Sequence, residues 1–435
     1  MQSASMGSMR AMFSHPRSDC IAGVVVFLVA VPLCLGIALA SGVAPVSGLV
    51  AGVVGGLVVP FLSRSPLSVT GPAAGLTAVV LFETRALGTF ERFLTATMIA
   101  GCLQILLGLL RTGRFAALVP QAVIKGMLAA IGIIIVWKQL PALVGGDGDV
   151  SRMVSQFAIG PALVAAASLV VLYGWSATPL ARHAFLPSAL MVVAASVGIA
   201  AAFTGSPSLA LTPAQMVDAP LGGWSALREA LPVPDTGAFA DPMVWRVAVT
   251  VALVASIETL LSLQAIDGID PLKRASPPNR ELVAQGAANL ASGWLGGLPV
   301  TAVIVRSGAN LQAGGRERLS ALVHGVLLLL AVLFAGRVLN MIPLACLAAV
   351  LVQVGLKLAS PKLVLEEWRS GWTRFLPFAA TIVAVLATDL LKGVVVGIAL
   401  ELTLRIVVGQ RRACPTHANE SGVEGHTRAA ESSGP

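Results

Sequence analysis

Long runs of apolar residues without any charge recur from residue 20 to residue 410, and they restrict the fold more than any other feature of the chain. Soluble proteins carry about 25% charged residues. This chain of 435 residues carries 11%, with 56% hydrophobic residues and a mean hydropathy of +0.86. Since a helix needs about 17 to 25 apolar residues to span a bilayer, the sequence predicts an all-α polytopic membrane protein. A water-soluble globule is excluded.

The apolar runs divide into full-length and short segments. The full-length segments are 20–40, 43–62, 93–111, 117–141, 157–175, 184–203, 243–266, 280–297, 318–336, 343–358, 373–390 and 392–409. Two further segments, 72–82 and 300–312, would form only about 16 to 20 Å of helix, against a hydrocarbon core of about 30 Å. These two segments are therefore predicted to be half-helices.

The order of the segments predicts an internal symmetry. Fourteen transmembrane segments divide as seven plus seven, with a half-helix at segments 3 and 10. Because seven is odd, the second set enters the membrane in the opposite sense, as in an inverted repeat. The predicted divisions are a cytoplasmic N-terminus (1–19), the first repeat (20–203), an extracytoplasmic loop (204–242) with a surface helix near 222–230, the second repeat (243–409) and a disordered cytoplasmic tail (410–435).

The distribution of Lys and Arg predicts the orientation. If the N-terminus is cytoplasmic, about 19 of the 29 basic residues face the cytoplasm, as the positive-inside rule expects. Both termini are therefore expected in the cytoplasm of a cell with a bacterial-type inner (plasma) membrane, and segment 20–40 is expected to be retained rather than cleaved. The basic residues stand singly or in short groups, so no nucleic-acid partner is expected despite a net charge of +8.

Each predicted half-helix follows an extended-looking stretch that ends in proline, at 66–72 and 294–299. Two helix amino ends that meet inside the membrane would direct free amides and positive dipole ends at one place, which suits an anion. Packing of small residues between helices is the alternative explanation. The predicted anion-binding residues are Thr70, Gly71, Ala73, Ala74, Gly75, Val300, Thr301 and Ala302, with Arg306 adding positive potential.

Three charged residues lie inside apolar segments, where each costs about 2.5 to 3.5 kcal/mol and needs a partner. Glu258 is interpreted as a proton carrier or a cation ligand, with Ser262 one turn further on the same face. The alternative is a structural ion pair of Glu258 with Arg306 or Lys125. Arg306 is either a site residue or an anchor at a helix end, and Lys125 can extend to the cytoplasmic surface.

No arrangement of residues predicts an enzyme. The five histidines and five cysteines are dispersed, without the spacing of metal ligands or a disulfide framework. The stretch 145–148 lacks the length and the Lys-Ser/Thr pair of a phosphate-binding loop. We therefore expect no cofactor beyond a coupling sodium ion or proton, and no firm metal site.

Several motifs together resemble the SulP family of inorganic anion transporters, to which the prestin-related solute carriers belong. The motifs are Glu258-Thr259-Leu260-Leu261-Ser262, residues 279–289, Gly296-Gly297-Leu298-Pro299-Val300-Thr301, residues 306–314, residues 19–23 and Ser68-Val69-Thr70-Gly71-Pro72. The likeness extends over roughly residues 15 to 410. It implies a core domain that carries an anion between segments 3 and 10 and moves against a gate domain in an elevator-like motion.

The resemblance also implies the residues that bind the coupling ion. In sodium-coupled bicarbonate members, a carboxylate and a hydroxyl of segment 8 and the start of segment 10 hold sodium; the matching residues are Glu258, Ser262 and Thr301. Three departures are expected to matter. Leu33 stands where many relatives place a glutamine, Glu258 replaces an aspartate, and the C-terminal STAS domain that usually follows is missing from the sequence.

The sequence therefore predicts secondary active transport of bicarbonate or sulfate by symport with sodium or protons. The expected partners are the small inorganic anion and the lipid bilayer, and a homodimer remains open. One alternative is a nucleobase permease of the same fold, although Ala, Gly, Val and Thr offer few groups that read a heterocycle. A passive anion channel is the other alternative, because a channel and a carrier need the same selective site.

Overall fold

The computed structural model describes residues 11–113, 120–146, 150–179, 186–220, 223–388 and 390–413. Residues 1–10 of the predicted cytoplasmic N-terminus and residues 414–435 of the predicted disordered tail lie outside the described residues. So do four of the basic residues used to predict the orientation, namely Arg10, Arg114, Arg182 and Arg428.

The first half of the chain forms seven helices and one strand. In chain order they are α1 (Pro16–Ala40), α2 (Pro45–Leu62), β1 (Thr70–Pro72), α3 (Thr77–Leu87), α4 (Phe90–Leu109), α5 (Gln121–Leu143), α6 (Ile159–Gly174) and α7 (Ser188–Phe203). Proline opens α1 and α2, where its fixed φ suits the first turn and its missing N–H costs no hydrogen bond.

The second half repeats this order. It contains α8 (Pro242–Ile269), α9 (Pro278–Trp294), β2 (Val300–Ala302), α10 (Ile304–Gln312), α11 (Leu319–Phe334), α12 (Leu344–Leu358), α13 (Trp372–Ala387) and α14 (Leu390–Ala413). Proline again opens α8 and α9. Helix α14 continues past residue 410, where the sequence predicted the start of the tail. Short helices between these elements include Trp224–Ala230, within the segment predicted to hold a surface helix.

The helices have the character of membrane spans. Every segment predicted from the sequence corresponds to one of the helices α1–α14. In the described part of the chain, six stretches are long and apolar enough to cross a bilayer by length and composition: Pro16–Ala40, Pro45–Leu62, Phe90–Leu109, Gln121–Leu143, Pro242–Ile269 and Leu344–Arg369. Helix is the expected solution there, because it satisfies backbone hydrogen bonds within one segment.

The helices pack as two bundles that each take equivalent members from both halves of the chain. Helices α1–α4 pack with α8–α11, most extensively α4 on α9 and α11 on α1 and α2; we call this group the crossing bundle. Helices α5–α7 pack with α12–α14, and we call this group the flanking bundle. The two bundles meet mainly where α1 contacts α12 and α7.

Strands β1 and β2 pair antiparallel inside the crossing bundle, with Thr70 opposite Ala302, Gly71 opposite Thr301 and Pro72 opposite Val300. All six residues are buried. The two half-helices therefore start from a single point, one from each half of the chain. This is the arrangement that the short segments predicted.

Close helix contact in the crossing bundle depends on glycine. At the crossing of α2 and α11, a Cβ atom added to Gly56 would lie 2.5 Å from the Cα atom of Gly325. Only backbone occupies that space, so no side chain can move aside. Small residues that let backbones approach are a known means of packing helices in membranes.

We predict that Gly56→Ala destabilises the protein, whereas Gly198→Ala does not. The added methyl at Gly56 forces α2 and α11 apart, at a cost of about 1 to 3 kcal/mol. A Cβ at Gly198, on α7, would meet no atom within 4 Å, so the better helix propensity of Ala prevails there. The measurement is the thermal unfolding midpoint of the detergent-purified variants. Equal midpoints for the two variants would contradict this packing.

Candidate functional site

The paired strands β1 and β2 form the floor of the candidate site. The N–H of Val303 donates to the carbonyl of Val69 over 3.0 Å, which extends the pairing by one step. Helix α10 also bonds the stretch that precedes β1. The Val69 amide donates to Ser307 Oγ (2.9 Å), and Asn310 Nδ2 donates to the Leu67 carbonyl (3.1 Å). The start of each half-helix is thus fixed by residues from the opposite half of the chain.

The half-helices begin later than the sequence predicted. Residues 74–76 form a 3₁₀ turn, α3 starts at Thr77 rather than Pro72, and α10 starts at Ile304 rather than Val300. Two physical reasons explain the shift. Gly71 precedes a proline, which disfavours helix, and residues 300–303 include the β-branched Val300, Thr301 and Val303. Pairing of the two segments then satisfies their backbone groups in the interior.

Several amides predicted to be free for an anion have protein partners. The Val300 amide donates to Asn289 Oδ1 (2.6 Å), and the Ala302 amide donates to Thr259 Oγ1 (3.4 Å). The Gly75 amide donates to Glu258, and Gly71 faces Thr301 in the strand pair. Part of the predicted set therefore shapes the site and does not offer free amides to an anion. The set in question is Thr70, Gly71, Gly75, Val300, Thr301 and Ala302.

Several amides at the starts of the half-helices have no protein acceptor among the described residues. They include those of Ala73 and Ala74 before α3, and of Ile304, Val305 and Arg306 in the first turn of α10. First-turn amides have no partner within their own helix and carry the positive end of the helix dipole. An anion site at the half-helix starts stays a prediction, and on its second side the unpartnered amides lie at residues 304–306 rather than 300–302.

Glu258 lies against the start of the first half-helix. Besides accepting the Gly75 amide, its carboxylate is so close that a Cβ atom on Gly75 would lie 2.6 Å from both carboxylate oxygens. Its buried Oε2 atom has no hydrogen-bond partner among the described residues. The ion pair with Arg306 or Lys125, which was the alternative interpretation of Glu258, is not formed: Lys125 Nζ lies 2.5 Å from Glu367, and Arg306 bonds to Cys34.

The other predicted coupling residues surround Glu258 less directly. Ser262 is buried one turn further along α8. Thr301 is fully buried, and its hydroxyl donates to the carbonyl of Ala302 over 3.3 Å. The hydroxyl of α8 that contacts β2 is instead that of Thr259. Within the described residues no cluster of three His, Cys, Asp or Glu side chains could hold a metal. A sodium site at Glu258, Ser262 and Thr301 stays a prediction.

Arg306 is a fully buried cation in the first turn of α10. Its Nη2 atom donates to Cys34 Sγ over 3.3 Å, while Nε and Nη1 have no partner within the described part of the chain. The Nη1 atom lies so close to Gly71 that a Cβ there would be 1.9 Å away. Arg306 therefore lies at the candidate site, against β1, and its role there stays a prediction.

The position of Arg306 implies a missing negative charge. A buried guanidinium without a counter-ion is costly, because burial removes the water that would stabilise its charge. Glu258 does not pair with it, and among the described residues its hydrogen-bond partner is the thiol of Cys34. The structure thus places an uncompensated positive charge beside the free amides of the half-helices, where an anion would satisfy both.

Sequence reasoning missed several polar residues around this point. Cys34, rather than the neighbouring Leu33, contacts Arg306; Leu33 packs toward the flanking bundle with Val164 and Val192. His324 on α11 is fully buried, and neither ring nitrogen has a partner. The signal available was a polar residue in an otherwise apolar helix, which usually marks function in a membrane.

Helix α9 carries a second set that was missed. Glu281, Gln285 and Asn289 are spaced by four residues, so they share one helix face, and all three are fully buried. Gln285 Nε2 donates to Thr70 Oγ1 over 2.7 Å, and Asn289 bonds to β2. The sequence contained this spacing, but nothing in it identified the two strands as the partners.

A large cavity separates the two bundles on one side of the site. Its volume is about 780 Å³, and it lies between α1 and α10 of the crossing bundle and α6, α7 and α12 of the flanking bundle. Its lining includes Val29, Tyr173, Ile304, Gly308, Gln353 and Lys357. Because Ile304 belongs to the first turn of α10, the cavity reaches the free amides of that helix.

Comparison with known proteins gives a consistent result. The sequence model of the sulfate permease family matches residues 17–381. The putative sulfate transporter YvdB of Bacillus subtilis is 30% identical over 400 residues, which cover 88% of this chain and 72% of YvdB. The bicarbonate transporter BicA of Picosynechococcus sp. is 26% identical over 415 residues, covering 91% of this chain and 71% of BicA.

Solved structures share the fold. The transmembrane domain of a cyanobacterial BicA superposes with a TM-score of 0.76 at 25% identity, covering 88% of this chain and 98% of that domain. SLC26A9 superposes with a TM-score of 0.77 at 18% identity, covering 90% of this chain and 65% of SLC26A9. At that identity the second likeness concerns the fold alone.

We predict that Gly75→Ala destabilises the protein and that Glu258→Asp in the same chain restores part of the loss. The added methyl displaces the Glu258 carboxylate, and a side chain shorter by one methylene leaves room for it. Residues in direct contact show coupling energies of about 0.5 to 3 kcal/mol. Unfolding midpoints of the two single variants and the double variant measure the coupling, with Gly205→Ala as a control that meets no atom within 4 Å. Strictly additive losses would show that the two residues do not touch.

Proposed function

The chain belongs to the sulfate permease family and is a membrane anion transporter, and we propose that it carries bicarbonate or sulfate by symport with sodium or protons. The single observation that supports this proposal most directly is the environment of Arg306. This buried cation lies beside the half-helix amides, and its Nε and Nη1 atoms have no partner among the described residues. The names of relatives point the same way, since they include sulfate and bicarbonate transporters.

The anion is proposed to bind between the starts of α3 and α10. The amides of Ala73, Ala74, Ile304 and Val305 donate to its oxygens, and the two helix dipoles favour its charge. Arg306 supplies positive potential, because its guanidinium lies against Gly71 of β1. Thr70, Gly71, Val300, Thr301 and Ala302 fix the distance between these donors by pairing as strands. Binding needs no covalent chemistry.

Glu258 is proposed to bind the coupling ion. Its carboxylate already bonds the amide of Gly75, so its negative charge competes with the substrate for the same helix end. A proton or a sodium ion on the unpartnered Oε2 removes that competition. For bicarbonate the formal charges of Arg306, Glu258, the anion and the coupling cation then sum to zero. A neutral loaded site moves through a membrane interior at lower cost than a charged one.

Movement of the crossing bundle against the flanking bundle is proposed to give alternating access. Both bundles combine equivalent helices of an inverted repeat, an arrangement in which one unit moves against the other, here in an elevator-like motion that carries the anion site with the crossing bundle. The cavity beside α10 is then the cytoplasmic entrance, with Lys357 on its wall attracting anions. The predicted orientation, with both termini in the cytoplasm, is part of this proposal.

Uptake into proteoliposomes tests the proposal. Labelled bicarbonate and labelled sulfate are each supplied under an imposed sodium gradient, an imposed proton gradient or neither. Accumulation of one anion against its own gradient, driven by one cation, is the expected result. A linear anion current without accumulation would favour a channel, and competition by uracil or xanthine would favour a nucleobase permease.

We predict that Glu258→Gln abolishes the dependence of uptake on the coupling ion. The amide is close to the carboxylate in shape but carries no charge, so it competes with the anion less and binds no proton or sodium. Initial uptake rates across a series of pH values and sodium concentrations provide the measurement. Glu401→Gln is the matched control, because Glu401 is a mostly buried carboxylate in α14 of the flanking bundle. Full retention of the wild-type pH and sodium dependence in Glu258→Gln would refute the coupling role.

We predict that a cysteine at Gly308 reacts with a membrane-impermeant maleimide from the cytoplasmic side only. Gly308 lines the cavity, and a Cβ there meets no atom within 4 Å, so the thiol has room. The experiment uses a background without the five native cysteines and compares inside-out with right-side-out vesicles. Gly205→Cys, in the loop after α7, should react from the opposite side. Reversed labelling of the two positions would invert the proposed orientation.

A further inference from the structure

We propose that Asn289 and Gln285 of α9 are positioning residues that set the distance between β1 and β2, and through it the affinity of the site for its anion. The inference rests on the proposed function, because it concerns the same anion site. Neither residue is among the half-helix donors, and neither bears a charge that could bind the anion. Their role is to hold the segments from which those donors project.

Asn289 takes the place of a neighbouring strand for β2. Its Oδ1 atom accepts the amide of Val300 at 2.6 Å, and its Nδ2 atom donates to the carbonyl of the same residue at 3.0 Å. Both backbone groups of Val300 are therefore satisfied by one side chain. Nδ2 also donates to Gln104 Oε1 (2.7 Å), and Gln104 Nε2 donates to Ser256 Oγ (3.2 Å), which joins α4 and α8 to the same network.

Gln285 contacts β1 through a side chain of the strand rather than through its backbone. Its Nε2 atom donates to Thr70 Oγ1 at 2.7 Å and to Glu281 Oε1 at 2.8 Å. Glu281 is in turn held by Ser65 Oγ (2.9 Å) and by a short bond from Ser63 Oγ, at the end of α2. One face of α9 thus contacts the first half of the chain through Gln285 and the second half through Asn289.

This attachment meets a need that the strand pair cannot meet alone. A two-stranded sheet is marginally stable even in water, and an open strand edge in a membrane interior leaves backbone groups unsatisfied. Helix α9 provides side-chain partners along that edge. Because β2 leads directly into α10, a displacement of β2 also displaces Ile304, Val305 and Arg306 relative to Ala73 and Ala74. Binding sites lose affinity when their supporting residues allow displacements of about 1 Å.

Two measurements on the variant Asn289→Ala test the inference. The first is hydrogen exchange of the peptide covering residues 298–303, followed by mass spectrometry; we expect exchange about 10-fold faster than in wild type, since a buried hydrogen bond is lost. The second is the half-saturation concentration for labelled sulfate and bicarbonate in proteoliposomes, which we expect to rise about 10-fold with a smaller change in maximal rate. Gln285→Leu should raise the half-saturation concentration through β1.

Ser168→Ala is the matched control. Ser168 is equally buried and bonds Ser196 at 2.9 Å, but both residues belong to the flanking bundle. It should leave exchange at 298–303 and the half-saturation concentration unchanged. If Asn289→Ala does not fold, Asn289→Asp is measured instead, which keeps the acceptor for the Val300 amide but loses the donor to the Val300 carbonyl. There we expect faster exchange at 298–303 together with a raised half-saturation concentration, and wild-type values of both would overturn the positioning role.

The outcomes separate this inference from the proposed function. Wild-type exchange at 298–303 in Asn289→Ala would overturn the positioning role, as would a lower maximal rate with an unchanged half-saturation concentration. Failure of the wild-type protein to take up either anion would instead overturn the proposed function, while the exchange measurement would still decide whether Asn289 holds β2.

Discussion

Backbone N–H and C=O groups find no water in the interior of a bilayer, so every extended segment placed there needs partners supplied by the protein. The crossing of β1 and β2 is where this chain meets that requirement. The two strands satisfy each other in part, α10 bonds the approach to β1 through Ser307 and Asn310, and α9 bonds both strands through Gln285 and Asn289. The position of the half-helix starts, and hence of the candidate anion site, follows from these bonds.

Two charged side chains then give the site its sign. Arg306 lies buried beneath the crossing without a counter-ion, and Glu258 lies at the start of the first half-helix on the side of α8. They do not neutralise each other. In the proposed function each binds a mobile ion of opposite charge, so that an anion and a cation bind together.

The sequence predicted the fold well and the site in part. Segment lengths and the prolines before 72–82 and 300–312 were enough to predict two broken spans that meet, because bilayer thickness and proline geometry act locally. The starts of the helices at Thr77 and Ile304 were not predicted, since they depend on pairing between segments 230 residues apart. The same reason hid the contacts of Gly75 with Glu258 and of Asn289 with Val300. The burial of Arg306 places it at the candidate site, and the residue type alone does not predict that burial.

The surface between the bundles differs in kind from the interior of the crossing bundle. Where α1 meets α12 and the neighbouring helices, the contact is made by Val29, Leu33, Ala345, Ala349 and Val350. Hydrocarbon side chains form no directional bonds, so such surfaces can exchange one methyl contact for another as they slide without losing a hydrogen bond. In the proposed movement, the hydrogen-bonded crossing bundle would slide along this aliphatic surface while the geometry of its anion site stays fixed.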